Sequence, residues 1–134
     1  AVSAGQRLTD VAAKQITPMG TGLEPLSGVN ARADRTTTDT GISWDRRTRL
    51  STRITGPLAW SNPVGESPES YEVDVYTDGT FTTVARTLAS STPAVTYTSA
   101  QQVTDFGSNQ ATLYLRIYQL SATVGRGYAL QATI

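Results

Sequence analysis

An all-β domain is what this sequence predicts, and three observations carry that reading. Of its 134 residues, 22 are threonine, accompanied by Val, Ile and Tyr, side chains that fit a pleated, half-buried surface. Apolar residues alternate over short runs that Gly, Pro, Asn and Asp cut apart. Helix-like signals are confined to one short segment, "SAQQVTDFG". The length is that of one domain, with or without an attached segment, and is enough to bury a core without cross-links.

Taken in order, residues 1–26 read as an extended arm or linker, because Pro18, Gly20, Gly22 and Pro25 break up "ITPMGTGLEPL". Residues 27–134 read as the sandwich. "GVNARA" alternates Val29, Ala31 and Ala33 on one face and suits an edge strand. "TGISWDR" turns Ile42 and Trp44 inward and runs into Arg46, Arg47 and Arg49. A long polar connection with Gly56-Pro57 and Asn62-Pro63 turns around Trp60 is expected next. In "YEVDVYTDGTFTTVART", Tyr71, Val73 and Val75 share one face and Glu72, Asp74 and Tyr76 the other. Asp78-Gly79 supplies a two-residue hairpin turn with positive φ at both positions. "AVTYT" is a further strand. In "SAQQVTDFG", Ser99 is the expected cap, Gly107 the stop, and Val103 with Phe106 the buried side. "ATLYLRIYQL" sets Leu113, Leu115 and Ile117 inward against Tyr114, Tyr118 and Leu120. "SATVGRG" turns, and "YALQATI" closes the fold.

Seven short strands, a tryptophan on the second and an apolar penultimate strand predict a Greek-key β-sandwich. Its sheets should face each other across Trp44, Tyr71, Val73, Val75, Leu113, Leu115 and Ile117.

Composition removes several classes of function. Without cysteine there is no disulfide and no thiol chemistry; without histidine there is no imidazole base, triad or imidazole metal ligand. No apolar run approaches the roughly 20 residues of a membrane span, so no membrane insertion is expected. "AVSAGQRLTD" has neither the basic start nor the apolar stretch of a secretory signal. The chain starts at Ala1 without a Met, so a trimmed chain or a piece of a longer one is expected.

The strand order resembles a fibronectin type III domain. Trp44 falls where that family keeps a tryptophan on its second strand, and "YEVDVY" falls on its tyrosine-led third strand. That family usually opens its penultimate strand with a tyrosine that locks the preceding corner. Here Leu113 leads instead, and Tyr97 or Phe106 is the candidate for that packing role. A narrower resemblance spans residues 23 to 134. "LEPLSGV", "ISWDRRTR", "PVGESPESYEVDV", "YTSAQQVTDFG" and "YQLSATVGRG", in that order, are similar to the C-terminal region of phage tail-tip proteins. These are the baseplate-hub or host-specificity proteins of long-tailed phages and gene transfer agents. The resemblance implies a virion component at the distal tail, carrying no catalytic residue or cofactor here. It also implies partners among other tail and baseplate proteins, within a larger hub chain or oligomer, and a host receptor or glycan as a further partner.

"ISWDRRTRL" pairs an aromatic with arginines, as a single-stranded nucleic-acid groove does. Against that, eleven basic residues are balanced by eleven acidic ones, and the pI is near 6.4, so phosphate affinity lacks surplus charge. Arg46, Arg47 and Arg49 are better read as ion-pair partners of Glu66, Glu69 and Glu72, with Trp44 in the core. Nucleic acid is not an expected partner. Glu66 with Glu69, or Asp78 with Asp105, could be cast as a glycosidase pair, but nothing in the sequence shows a cleft or raises either pKa. Asp74, Asp78 and Asp105 offer hard oxygens for calcium without a dense acidic loop, so no metal is expected. "GRG" at 125–127 lacks the context of a phosphate cradle and reads as a turn. Gly127 follows Arg126 with no Asp after it, so the cell-adhesion tripeptide is absent too.

Two functions are carried forward. One is a non-enzymatic tail-tip module for assembly, spacing or host-surface attachment, with Trp60 and Arg126 as loop contacts for a partner. The other is a carbohydrate-binding or spacer module of a secreted glycan-active enzyme. The latter needs coplanar exposed aromatics, drawn from Trp60, Tyr76, Tyr114, Tyr118 and Tyr128.

Overall fold

The computed structural model of the chain describes residues 24–48 and 66–134 with their side chains, and the backbone of 51–55. Trp60, Arg49, both expected Pro turns and residues 1–23 lie outside the described residues. The strands are β1 (Val29–Asp34), β2 (Thr40–Thr48), β3 (Ser51–Thr55), β4 (Tyr71–Tyr76), β5 (Val84–Ser90) and β6 (Ala94–Tyr97). Helix α1 (Ser99–Phe106) follows, then β7 (Tyr114–Ser121), β8 (Gly125–Arg126) and β9 (Leu130–Thr133). They form two antiparallel sheets. In the first, β2 lies between β1 on one edge and β3 and β6 on the other; the second runs β5-β4-β7, with β8 and β9 both on the far edge of β7.

The core lies between these sheets. Ile42 and Trp44 from β2 and Tyr97 from β6 meet Tyr71, Val73, Val75, Leu88, Leu113, Leu115 and Ile117 from the other side. Period-two alternation explains the choice. In β7, Leu115, Ile117, Gln119 and Ser121 are buried while the residues between them are half-buried. Each fully buried aliphatic side chain contributes about 1.5–3 kcal/mol. Trp44 and Tyr71 add an edge-to-face contact, ring centres 5.2 Å apart, a geometry favoured by the ring quadrupoles.

Four local expectations need correction. Ser51–Thr55 is not loop but a strand paired with β2, so the chain folds back at the end of β2. The β4–β5 connection is not a two-residue turn: residues 77–83 form it, and the positive φ falls on Phe81 (54°). Asp78 instead accepts from Thr80 N at 2.8 Å and from its hydroxyl, and Thr77 N donates to Thr83 O at 2.9 Å. The helix cap sits one residue early. Thr98, not Ser99, accepts from Gln101 N, and Gln101 Oε1 in turn accepts from Thr98 N at 3.0 Å, a complete capping box. Gln102 faces the interior with no exposed surface and Val103 is 49% exposed, while Phe106 stays half-buried against the core. The corner before β7 is held by Tyr97, whose buried hydroxyl donates to Asp105 Oδ2 at 2.7 Å.

The N-terminal boundary also moves. Pro25, placed by sequence in the arm, is fully buried, and its carbonyl accepts from Tyr128 N at 2.9 Å. Gly127 makes this docking possible: a Cβ there would lie inside the contact shell of the Pro25 carbonyl oxygen. The chain thus enters the sandwich beside the 121–127 loop.

Candidate functional site

The outer face of the second sheet concentrates the charged and aromatic side chains. Alternation points Glu72, Asp74 and Tyr76 of β4 and Tyr114, Arg116 and Tyr118 of β7 to this side, opposite one another in register. β8 exists because Gly125 takes φ +77° and turns the chain back along Leu120 and Ser121. That return lays Arg126 across the face. Its Nη1 and Nη2 donate to Asp74 Oδ2 and Oδ1 at 2.6 and 3.0 Å, and its Nε to Glu72 Oε2 at 2.6 Å. The guanidinium also stands 4.5 Å from the centre of the Tyr118 ring. Thr87 donates to Asp74 Oδ1 at 2.6 Å. Asp74 is therefore 3% exposed on the solvent side of a sheet, and the bidentate fork accounts for a carboxylate surviving there. The bonds to Asp74 push the Arg126 guanidinium above its ordinary range, against burial, with Glu72 adding to them.

Glu72 was expected to pair with the arginines of the second strand; it pairs with Arg126 because both face out from the second sheet. Of those arginines, Arg46 Nη1 donates to Glu69 Oε2 at 3.0 Å, and Glu69 also accepts from the Tyr71 hydroxyl at 2.7 Å. Burial, and after it the bond to Glu69, keep that phenol protonated far above its usual range. Arg47 is exposed and forms no ion pair among the described residues. Glu66 is half-buried. Among the described residues the basic run is thus divided between Arg46 in a half-buried pair and the exposed Arg47.

Asp105 and Asp78, one of the two pairs weighed for acid–base work, sit in settings that favour the charged form, and so does Asp45. Asp105 receives Arg86 Nε at 2.6 Å and Nη2 at 2.9 Å. These bonds hold it below the usual carboxylate value despite burial, and the Tyr97 hydroxyl helps. Asp45 is raised by burial, but hydrogen bonds from Asn30 and then Arg32 more than reverse that. Asp78 is lowered by its bonds from Thr80. A general acid needs the opposite shift. Among the described residues no three Asp or Glu converge as a metal cluster would.

These depressed values predict acid sensitivity. A carboxylate with a folded pKa below its unfolded value of about 3.9 stabilises the fold above that value and loses this as pH falls through the folded pKa. The melting temperature should hold from pH 7 to 5 and fall below about pH 4. Asp105→Asn should flatten this acid limb in a pH series of thermal melts. An unchanged limb would remove Asp105 from the account.

The aromatics do not make a planar platform. Tyr76 is 6% exposed, Tyr114 and Tyr118 are half-buried, and Tyr128 is exposed at 47%. Tyr76 and Phe81 meet at 61°, and Phe81 and Tyr114 at 86°. Sequence reasoning missed Phe81, Arg116 and Gln131. Alternation in β7 already put Arg116 on the face of Tyr114 and Tyr118; Phe81 was hidden by the two-residue turn assigned at Asp78-Gly79. Outside the first sheet, a wide-open groove of about 490 Å³ runs over the small residues Gly41, Ser43 and Ala94, edged by Asp34, Ser90 and Thr96. No buried charge faces it. The chain matches no protein-family model, no curated protein and no solved structure.

Proposed function

We propose that this chain is a non-enzymatic, fibronectin type III-like module of a phage tail tip, serving assembly, spacing or host-surface attachment. The observation that supports it best is the strand order. β1-β2-β6 facing β5-β4-β7-β9, with three crossings between the sheets, is the order expected of that sandwich. The five ordered segments quoted above add the tail-tip assignment. The end where Pro25 docks beside Gly127 and Tyr128 suits a module threaded onto a larger hub, because the entry point is fixed by packing and not by a free linker. The carbohydrate-module alternative is weakened because Tyr76 is buried and Tyr114 meets Phe81 at 86°, so no flat platform of several rings forms.

Gold-labelled antibody against the chain, imaged on whole particles by electron microscopy, should mark the distal end of the tail. Label absent from particles, with the chain recovered beside a secreted glycan-cleaving enzyme, would reject the proposal for the alternative. Intact particles carrying Trp60→Ala then divide the roles: lowered adsorption indicates attachment, normal adsorption indicates spacing or assembly.

A further inference from the structure

Arg116 stands directly across from Asp74 in the β4–β7 register, yet it does not take that carboxylate. Asp74 is claimed by the Arg126 fork and by Thr87. Arg116 turns the other way: its Nε donates to Gln131 Oε1 at 3.0 Å and its Nη1 reaches the Tyr76 hydroxyl at 3.4 Å. Its guanidinium carbon lies 5.2 Å from the Tyr76 ring centre and 5.4 Å from that of Phe81. Arg32, Arg46, Arg86 and Arg126 each hold a carboxylate. Arg116 holds none among the described residues, and its Nη2 makes no hydrogen bond there. A guanidinium fixed by two rings and an amide, with one edge of its fork left open, is pre-organised for a planar anion.

The neighbours point the same way. Phe81 is kept at φ 54°, a region that a bulky side chain with a Cβ rarely adopts. Its ring is held there against Tyr76 and Tyr114, at 5.4 and 5.9 Å between centres. Gly79 lets the loop lie on Tyr114, since a Cβ there would come 3.1 Å from that ring. Strain retained at a surface loop is a reason to look for binding. Gln131 accepts from Arg116 Nε through Oε1 and so keeps its NH₂ as a donor. One cation, one amide donor, phenol hydroxyls and half-exposed rings match an anion borne on a hydroxyl-rich ring.

We propose that Arg116, with Gln131, Phe81 and Tyr114, is a binding site for an acidic sugar residue. The sugar carboxylate takes the open edge of Arg116, and the C–H face of the ring lies on Phe81, to which the Tyr114 ring stands edge-on. Gln131 donates to a ring hydroxyl. The site names a ligand class for the attachment role and rests on that reading for its biological source.

The test is an NMR titration of the full chain with trigalacturonate and, separately, with its methyl ester. Trigalacturonate should shift the Arg116 Nε signal and the Phe81 and Tyr114 ring signals, and the ester should bind at least about tenfold more weakly, one lost charged contact. Arg116→Gln should remove binding, while Arg47→Gln, an exposed arginine elsewhere, should leave it unchanged. If Arg116→Gln fails to fold, the acid-against-ester comparison on the native chain decides alone. Equal affinity for acid and ester, shifts spread over every exposed arginine, or no shift at all would overturn the proposal. A tripeptide Ala-Glu-Ala binding as tightly as the sugar would overturn the sugar assignment. Binding by the free chain without gold label on particles removes the tail-tip reading and keeps this site; the converse removes only this site.

Discussion

Trp44→Ala is expected to destabilise the fold by about 3–5 kcal/mol, the range for large aromatic truncations in packed cores. The side chain has no exposed surface and lies between the sheets, so its removal opens a cavity that neither sheet closes without moving the other. It also loses the edge-to-face contact with Tyr71 at 5.2 Å. The main chain is equally tight there: a Cβ on Gly28 would come 2.9 Å from Trp44 Cδ1. One feature works against the native residue. Its indole Nε1 is buried without a hydrogen-bond partner among the described residues, and an unpaired buried donor costs about 1–3 kcal/mol. Trp44→Phe removes that donor while keeping much of the volume, so it should cost far less than the alanine change. Urea unfolding should show a large fall in midpoint for Trp44→Ala and a small one for Trp44→Phe, with unchanged slopes. A loss under about 1 kcal/mol for the alanine variant would mean that Trp44 does not join the two sheets.

The alternation in "YEVDVY" and "ATLYLRIYQL" exposed the core because period-two patterning is a local property of the chain. Burial of Val73, Val75, Leu115 and Ile117 follows from it directly. What the pattern could not convey was the state of the opposite face. Glu72, Asp74 and Tyr76 read as solvent-facing, yet Asp74 and Tyr76 are buried. Their cover comes from Arg126 and Arg116, and the Arg126 contact spans 52 residues. The Arg126 cover depends on where β8 returns, and that is set by a positive φ at Gly125 that the sequence permits but does not require.

Turn chemistry misled in a similar way. Asp78-Gly79 is a strong two-residue hairpin signal, but the rings of Tyr76, Phe81 and Tyr114 pack together only when the loop is longer. Tertiary packing prevailed over local preference. The candidate site was therefore half legible: Tyr114 and Tyr76 were named for the wrong geometry, and Phe81 and Gln131 were not named at all. The arginine run was the more legible feature, since Arg46 lies 3.0 Å from Glu69. Even there, Glu72 went to another arginine on another sheet edge.

Gln102→Leu should be the second costly change, for a reason unrelated to volume. Gln102 is fully buried on α1, and its amide joins three parts of the fold. Nε2 donates to Thr40 Oγ1 at 3.0 Å and to Tyr97 O at 3.1 Å, while Oε1 accepts from Gln110 N at 2.9 Å. Leucine fills nearly the same space but leaves a carbonyl and a backbone N–H unpaired. At about 1–3 kcal/mol each, the expected loss is roughly 2–4 kcal/mol after the apolar gain. Gln102→Glu separates this account from simple packing. The glutamate still accepts from Gln110 N, but when ionised it sets an oxygen against the Tyr97 carbonyl. Burial and that opposing oxygen raise its folded pKa above the unfolded value of about 4.3. A raised folded pKa means that the native state holds the proton more tightly, so the penalty is full at neutral pH and shrinks as pH falls through the raised value. Compared with the parent at each pH, Gln102→Glu should lose most stability at pH 7 and least near pH 4. A penalty that does not vary with pH would mean that the Gln102 amide is not paired inside the fold.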